Sequence, residues 1–225
     1  PTKNFFSDEA IEKLEEIFFA ESFEYQIRWH RAGLEHRIRD ILKSRQIGAT
    51  FYFSREALLH ALKTGHNQIF LSASKTQAYV FREYIIQFAR RVDVDLTGDP
   101  IVIGNNGAKL IFLGTNSNTA QSHNGDLYVD EIFWIPNFQK LRKVSSGMAS
   151  QSHLRSTYFS TPSTLAHGAY PFWSGELFNR GRASASERVD IDISHDALAA
   201  GVACPDGQWR QIVTIEDALA GGCTL

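Results

Sequence analysis

The sequence predicts an α/β fold, a mostly parallel sheet covered by helices on both faces, and three observations carry that reading. Short apolar runs of strand length alternate along the chain with longer segments of helical periodicity. The strand-like runs, such as Gln68 to Ser72 and Leu127 to Val129, are compact and apolar, as strands covered on both faces are. The chain is 225 residues long with 43% hydrophobic and 21% charged residues, which fits a globular core and excludes a disordered, collagen-like or disulfide-framed chain.

The elements follow in order. Ser7, Asp8 and Glu9 form a helix N-cap with acids in the first turn, and Ile11, Leu14, Ile17 and Phe18 continue the helix to about Glu21. A second helical segment, Phe23 to Ala32, carries Tyr25, Gln26 and Trp29 and is expected to break at Gly33. Arg37 to Leu42 is a short strand inside the one local basic concentration, formed by Arg28, Arg31, Arg37, Arg39, Lys43 and Arg45. Thr50 to Thr64 is helical, with Phe51, Leu58, Ala61 and Leu62 on one face and Gly65 as its C-cap.

Gln68 to Ser72 is a strand and Lys75 to Arg91 a helix. Asn105, Asn106 and Gly107 lie between two apolar runs, Ile101 to Ile103 and Lys109 to Leu113, and signal an inserted β-hairpin. Leu127 to Val129 is a strand ending in Asp130 and Glu131. Asn137 to Met148 is helical, and Ser156 to Ser160 is a strand running into Thr161 and Pro162. The pattern weakens after Arg182. The expected organisation is one domain over residues 1–182, with 1–34 as its N-terminal helices, and a return strand plus linker over 183–225.

No apolar run approaches the roughly 20 residues of a membrane helix, so no membrane role is expected. Cys204 and Cys223 match no metal or redox spacing and fit a reducing cytosol. The net charge of −2 gives no reason of its own to expect nucleic acid.

Two strand ends carry chemistry. Lys43-Ser44-Arg45-Gln46-Ile47-Gly48-Ala49-Thr50 lies between a strand and a helix, where backbone N–H groups at a helix N-terminus can cradle phosphate oxygens. Gly48 permits close backbone approach, and the Thr50 hydroxyl is placed for Mg²⁺. The usual phosphate-binding pattern is broken twice, since Lys43 stands where the first glycine belongs and Ala49 where the lysine belongs. An ordinary strand-to-helix turn with a basic surface fits the same residues. The second strand end, Asp130-Glu131, supplies one acid to hold a metal through water and another to deprotonate an attacking water. A solvated strand end is its plain alternative. The two together, with the strand at Gln68 to Ser72 between them in sequence, fit P-loop ATPases of the class in which an extra strand separates the two motifs.

At that point the run KSRQIGATFYFSREAL resembles the ATPase domain of the large subunit of tailed-phage terminases, the motors that package DNA into capsids, in their P2-like branch. The resemblance covers nearly the whole chain and implies an ASCE, RecA-like P-loop fold binding ATP and Mg²⁺. It implies that Lys43 replaces the missing lysine and that Arg45 acts as an arginine finger in cis. It further implies that Tyr25 and Gln26 read adenine, that Asp130 and Thr50 hold the metal, that Glu131 is the base, and that Ser160 and Thr161 couple hydrolysis to motion. The implied partners are double-stranded DNA, a portal or procapsid, a small terminase subunit and further copies in a ring, in the cytoplasm of a bacterial host. A nuclease domain is expected beyond the ATPase domain.

A DNA helicase or remodelling ATPase, and a nucleotide-binding module without catalysis, remain alternatives. Lys140, Arg142 and Lys143 join the first basic cluster as candidate DNA contacts. His123, His153, His167 and His195 have no paired metal spacing, and Asp190 with Asp192 reads as a solvated strand face.

Overall fold

A computed structural model describes residues 2–115 and 122–224. The chain begins with α1 (Asp8–Glu21), capped by the Ser7 side chain, and α2 (Glu24–Glu35). It then alternates β1 (Ile38–Lys43), α3 (Ala49–Thr64), β2 (Gln68–Ser72) and α4 (Lys75–Arg90). The expected hairpin is β3 (Ile101–Val102) paired antiparallel with β4 (Lys109–Gly114). Beyond it come β5 (Asp126–Asp130), α5 (Phe138–Met148) and β6 (Ser156–Ser160). Three short helices follow, α6 (Tyr170–Ser174), α7 (Glu176–Asn179) and α8 (His195–Leu198). The chain closes with β7 (Val202–Ala203), β8 (Gln208–Val213) and α9 (Ile215–Ala220). None of the described helices is long and apolar enough to cross a membrane.

The strands form one sheet in the order β3-β4-β2-β5-β6-β1-β8-β7. The six inner strands run parallel, and the antiparallel β3 and β7 close its two edges. Because side chains alternate across a strand, Phe70 and Tyr128 enter one core with α1 to α4, while Ile69, Leu71, Leu127 and Val129 enter a second with α5 and α6.

Three expectations about organisation change. The second helix does not stop at Gly33, which lies inside α2. A Cβ there would come within 2.6 Å of the Arg39 Nη1 and 2.9 Å of the Arg155 Nη1, so glycine is present to admit two guanidinium groups. The tail holds the expected return strand, β8, but the rest of it is not a linker. β8 lies beside β1 in parallel register, its Gln211 accepts from the Trp29 indole at 2.7 Å, and the Gly221 carbonyl accepts from the Glu24 N–H. The domain therefore extends well beyond 182, and within the tail Asp190 and Asp192 sit on irregular backbone rather than a strand. Finally, the strand that separates β1 from β5 in space is β6, while β2 lies on the far side of β5.

The basic concentration around β1 is only partly a surface, since Arg39 and Lys43 are buried. Arg39 is 1% exposed and makes a two-armed ion pair with Glu56 on α3, at 2.7 and 2.8 Å. Tyr52 and Tyr128 donate to the same carboxylate at 2.9 and 2.6 Å, and Arg155 lies 3.4 Å away. Arg37 donates to the carbonyls of Ala149, Gln151 and Leu154, and Arg28 pairs with Glu24. Only Arg31 and Arg45 of that cluster remain as candidate DNA contacts, with exposed Lys140 and Lys143 on α5.

Candidate active site

In an open parallel sheet, ligands sit outside the C-terminal strand ends, where the strand order reverses. β1, β5 and β6 all deliver polar residues to that edge. The turn after β1 is pinned from two sides. Its Ser44 N–H donates to the Val213 carbonyl at the end of β8 at 2.9 Å. From α2, the Tyr25 hydroxyl donates to the Ile47 carbonyl at 2.6 Å, and the Gln26 Nε2 to the Gly48 carbonyl at 3.2 Å.

A trans peptide points its N–H opposite to its C=O. Holding the Ile47 and Gly48 carbonyls from behind therefore turns the Gly48 and Ala49 N–H groups the other way. They are thus presented at the start of α3, a ready anion site. Gly48 itself has φ +80°, and a Cβ would lie 3.0 Å from the Gln26 amide, so the position needs glycine.

This arrangement alters the reading of Tyr25 and Gln26. Both are buried, the Tyr25 hydroxyl is used on the turn, and the Gln26 carbonyl oxygen accepts from the Phe23 N–H while its nitrogen holds Gly48. In this state they shape the turn from behind and present no free edge to a base. Ala49 is 3% exposed within the α1–α4 core, so a lysine there would have to push its stem into packed side chains. Lys43 also brings an ammonium to this edge, its Nζ lying 3.7 Å from the Glu131 Oε1. Burial lowers the Lys43 ammonium from its ordinary value, opposed by the charges of Glu131 and Asp130.

The end of β5 carries the acids. Asp130 has an Oδ1 that is buried without a hydrogen-bond partner. Burial pushes its carboxyl up to about 6, with the Glu131 charge adding to the shift and Ser72 and Lys43 opposing it. Glu131 adopts a left-handed backbone, φ 55° and ψ 41°, an uncommon conformation for a side-chain-bearing residue and one found at functional sites. Its N–H donates to the Phe159 carbonyl at 2.7 Å, which fixes that turn to β6.

The end of β6 brings Ser160 and Thr161, the pair the sequence offers for coupling, beside these acids. The Thr161 hydroxyl donates to the Glu131 Oε2 at 2.9 Å and accepts from the Trp134 indole at 2.9 Å. Ser160 accepts from the Phe133 N–H at 3.2 Å and donates to the Thr161 carbonyl. Trp134 lines the cleft beside these groups, and the sequence reading does not single it out. It is 51% exposed, and an aromatic residue a few positions after an acid pair carries no sequence signal.

A cleft of about 470 Å³ is lined by Lys43, Arg45, Gln46, Glu131, Trp134 and Thr161, with Ala73 and Gln77. Arg45 and Gln46 are exposed on its rim. Thr50 lies in the first turn of α3, partly buried.

Residues 40–225 match the family described as terminase large subunit, T4likevirus-type, N-terminal. Over its full length the chain is 89% identical to the "Terminase, ATPase subunit" of Escherichia phage P2, and it spans 38% of that protein. Among solved structures, the large terminase ATPase domain of Thermus phage P74-26 superimposes with a TM-score of 0.62 at 17% identity, over 95% of this chain and 88% of that one. The large terminase of a thermophilic bacteriophage, solved in complex with ADP, gives 0.62 at 11% identity, over 88% of this chain and 47% of that one.

Proposed function

Because the chain belongs to the N-terminal domain family of terminase large subunits, we propose that the cleft between β1, β5 and β6 binds and hydrolyses MgATP to drive DNA packaging. The observation that carries this is the convergence of Lys43, Glu131 and Thr161 above an anion-receiving turn, beside an unpartnered buried carboxylate oxygen on Asp130.

In this reading the N–H groups from Gly48 and Ala49 hold phosphate oxygens, and Lys43 leaves Glu131 to neutralise the β- and γ-phosphates. That exchange frees the Glu131 carboxylate to take a proton from the attacking water. Arg45, on the rim, neutralises charge that develops on the transferred phosphoryl group. A bound Mg²⁺ supplies charge neutralisation across the phosphates, and Asp130 and Thr50 are the residues that would hold it. The orphaned Asp130 oxygen fits that task. Thr161 senses the state of Glu131 and passes it along β6 through Ser160.

The partners proposed for the full-length protein are double-stranded DNA, a portal or procapsid, a small terminase subunit and further copies in a ring, acting in the bacterial host cytoplasm. A separate nuclease domain in the longer protein belongs to the same reading.

Two outcomes test the site. Lys43→Ala weakens ATP binding by about 10- to 100-fold, the loss of one charge-assisted contact, as read by calorimetric titration; unchanged affinity would refute the displaced-lysine assignment. Proton and cation also compete for Asp130. With its carboxyl near 6, the apparent Mg²⁺ affinity of the ATP complex falls by about tenfold per pH unit below that point and levels off above it. The curve is corrected for titration of the nucleotide itself, and a residual slope of zero removes Asp130 from the metal site.

A further inference from the structure

At the opposite edge of the sheet, three side chains that the nucleotide site does not use meet at one point. His60 lies near the end of α3, His66 in the connection to β2, and Asp126 is the first residue of β5. The His60 Nε2 is 3.1 Å and the His66 Nδ1 3.3 Å from the same Asp126 Oδ2, and all three atoms lie within 4.8 Å of one another. We propose that His60, His66 and Asp126 form a structural binding site for a zinc-class divalent cation.

Four observations support it. With bonds of about 2.0–2.2 Å and tetrahedral angles, ligand atoms on one zinc ion stand about 3.3–3.5 Å apart. The two measured nitrogen-to-oxygen separations are close to that edge. The His66 Nδ1 is buried and makes no hydrogen bond despite its closeness to the carboxylate. That geometry suits a lone pair directed at a shared cation better than an N–H aimed at oxygen.

Asp126 is fully buried, and its partners leave it oriented. Its Oδ1 accepts from the Arg155 N–H at 2.9 Å and its Oδ2 from the Gln68 amide at 2.9 Å. Such outer partners fix a metal-binding carboxylate in place. Finally, the exposed ring of His153 lies 5.0 Å from that of His66, so a third imidazole adjoins the cluster.

The donor set of two imidazoles and one carboxylate selects zinc, cobalt or nickel over magnesium, which prefers oxygen alone. The site joins the far end of the helix that begins at the phosphate turn to the start of the strand that ends in Asp130. A cation there ties α3, β2 and β5 together at the base of the sheet.

The test is titration of the chelator-stripped protein with Co²⁺ and then Zn²⁺. One Co²⁺ per chain is expected, with the visible absorption of a tetrahedral complex, and one equivalent of Zn²⁺ bleaches it. His60→Gln and His66→Gln each lower the affinity by about tenfold or more. Zn²⁺ raises the melting temperature of the wild type and leaves a His60→Gln/His66→Gln protein unchanged, while Mg²⁺ raises neither. Both histidines are partly exposed, so these variants are chosen over the buried Asp126, and circular dichroism verifies their fold. Absence of stoichiometric binding, or equal Zn²⁺ affinity in the double variant, overturns the site.

Discussion

Glu131→Gln binds ATP as tightly as the wild type and hydrolyses it at least about 10²-fold more slowly, the loss expected when a general base is removed. The substitution is conservative in shape. The glutamine oxygen can still accept from the Thr161 hydroxyl, which holds the side chain at 2.9 Å in the wild type. What disappears is the negative charge, and with it both the proton acceptor and the ion pair to Lys43 at 3.7 Å. Losing that ion pair frees Lys43 for phosphate, so binding does not suffer. Turnover measured under saturating MgATP separates the two effects, and a variant that turns over at the wild-type rate would dismiss Glu131 as the base.

Glu56→Ala destabilises the fold by about 3–5 kcal/mol, because it removes one side of a buried ion pair and leaves the other uncompensated. Arg39 would keep its two contacts with Thr157 and one with the Trp29 carbonyl, but no counter-charge. Arg155 would lose its carboxylate as well, and Tyr52 and Tyr128 would each lose the acceptor for a buried hydroxyl, although Tyr128 still accepts from Arg155 at 3.3 Å. Urea unfolding measures the loss, and a cost under about 1 kcal/mol would mean that solvent reaches the pair.

The pH dependence has a fixed sign. Burial alone would raise the Glu56 carboxyl, but the charges of Arg39 and Arg155 outweigh it and hold the group well below its ordinary 4.5. A depressed carboxyl stabilises the fold fully above its unfolded value and progressively less as pH falls below it. Wild-type stability therefore declines from about pH 5 downward, and the Glu56→Ala protein lacks this part of the slope.

The sequence made the alternating elements legible because their apolar runs differ in length. Gln68 to Ser72 is too short for a helix, and Lys75 to Arg91 too long for a strand buried in this sheet. It also marked the β1–α3 turn and the acid pair as a candidate site, since both are contiguous in the chain. What stayed hidden was made by distance. Arg39 and Glu56 look like surface charges until β1 and α3 pack face to face and bury the two as an ion pair. Gly33 looks like a helix breaker because its purpose, room for two arginines, comes from residues elsewhere in the chain. β8 is obscured by Gln208, Arg210 and Gln211, polar residues that are buried only because Phe172, Trp173, Asp206, Trp29 and Ala199 meet them. The cation cluster is invisible for the same reason, with Asp126 far along the chain from His66.

Of the four tryptophans, Trp29, Trp173 and Trp209 are at most 7% exposed, whereas Trp134 stands 51% open to water with its indole nitrogen on Thr161. The molecule thus carries its own fluorophore, one hydroxyl removed from Glu131. Water-soluble quenchers reach that ring and spare the rest, so the emission they remove reports the arrangement around Glu131 without any label.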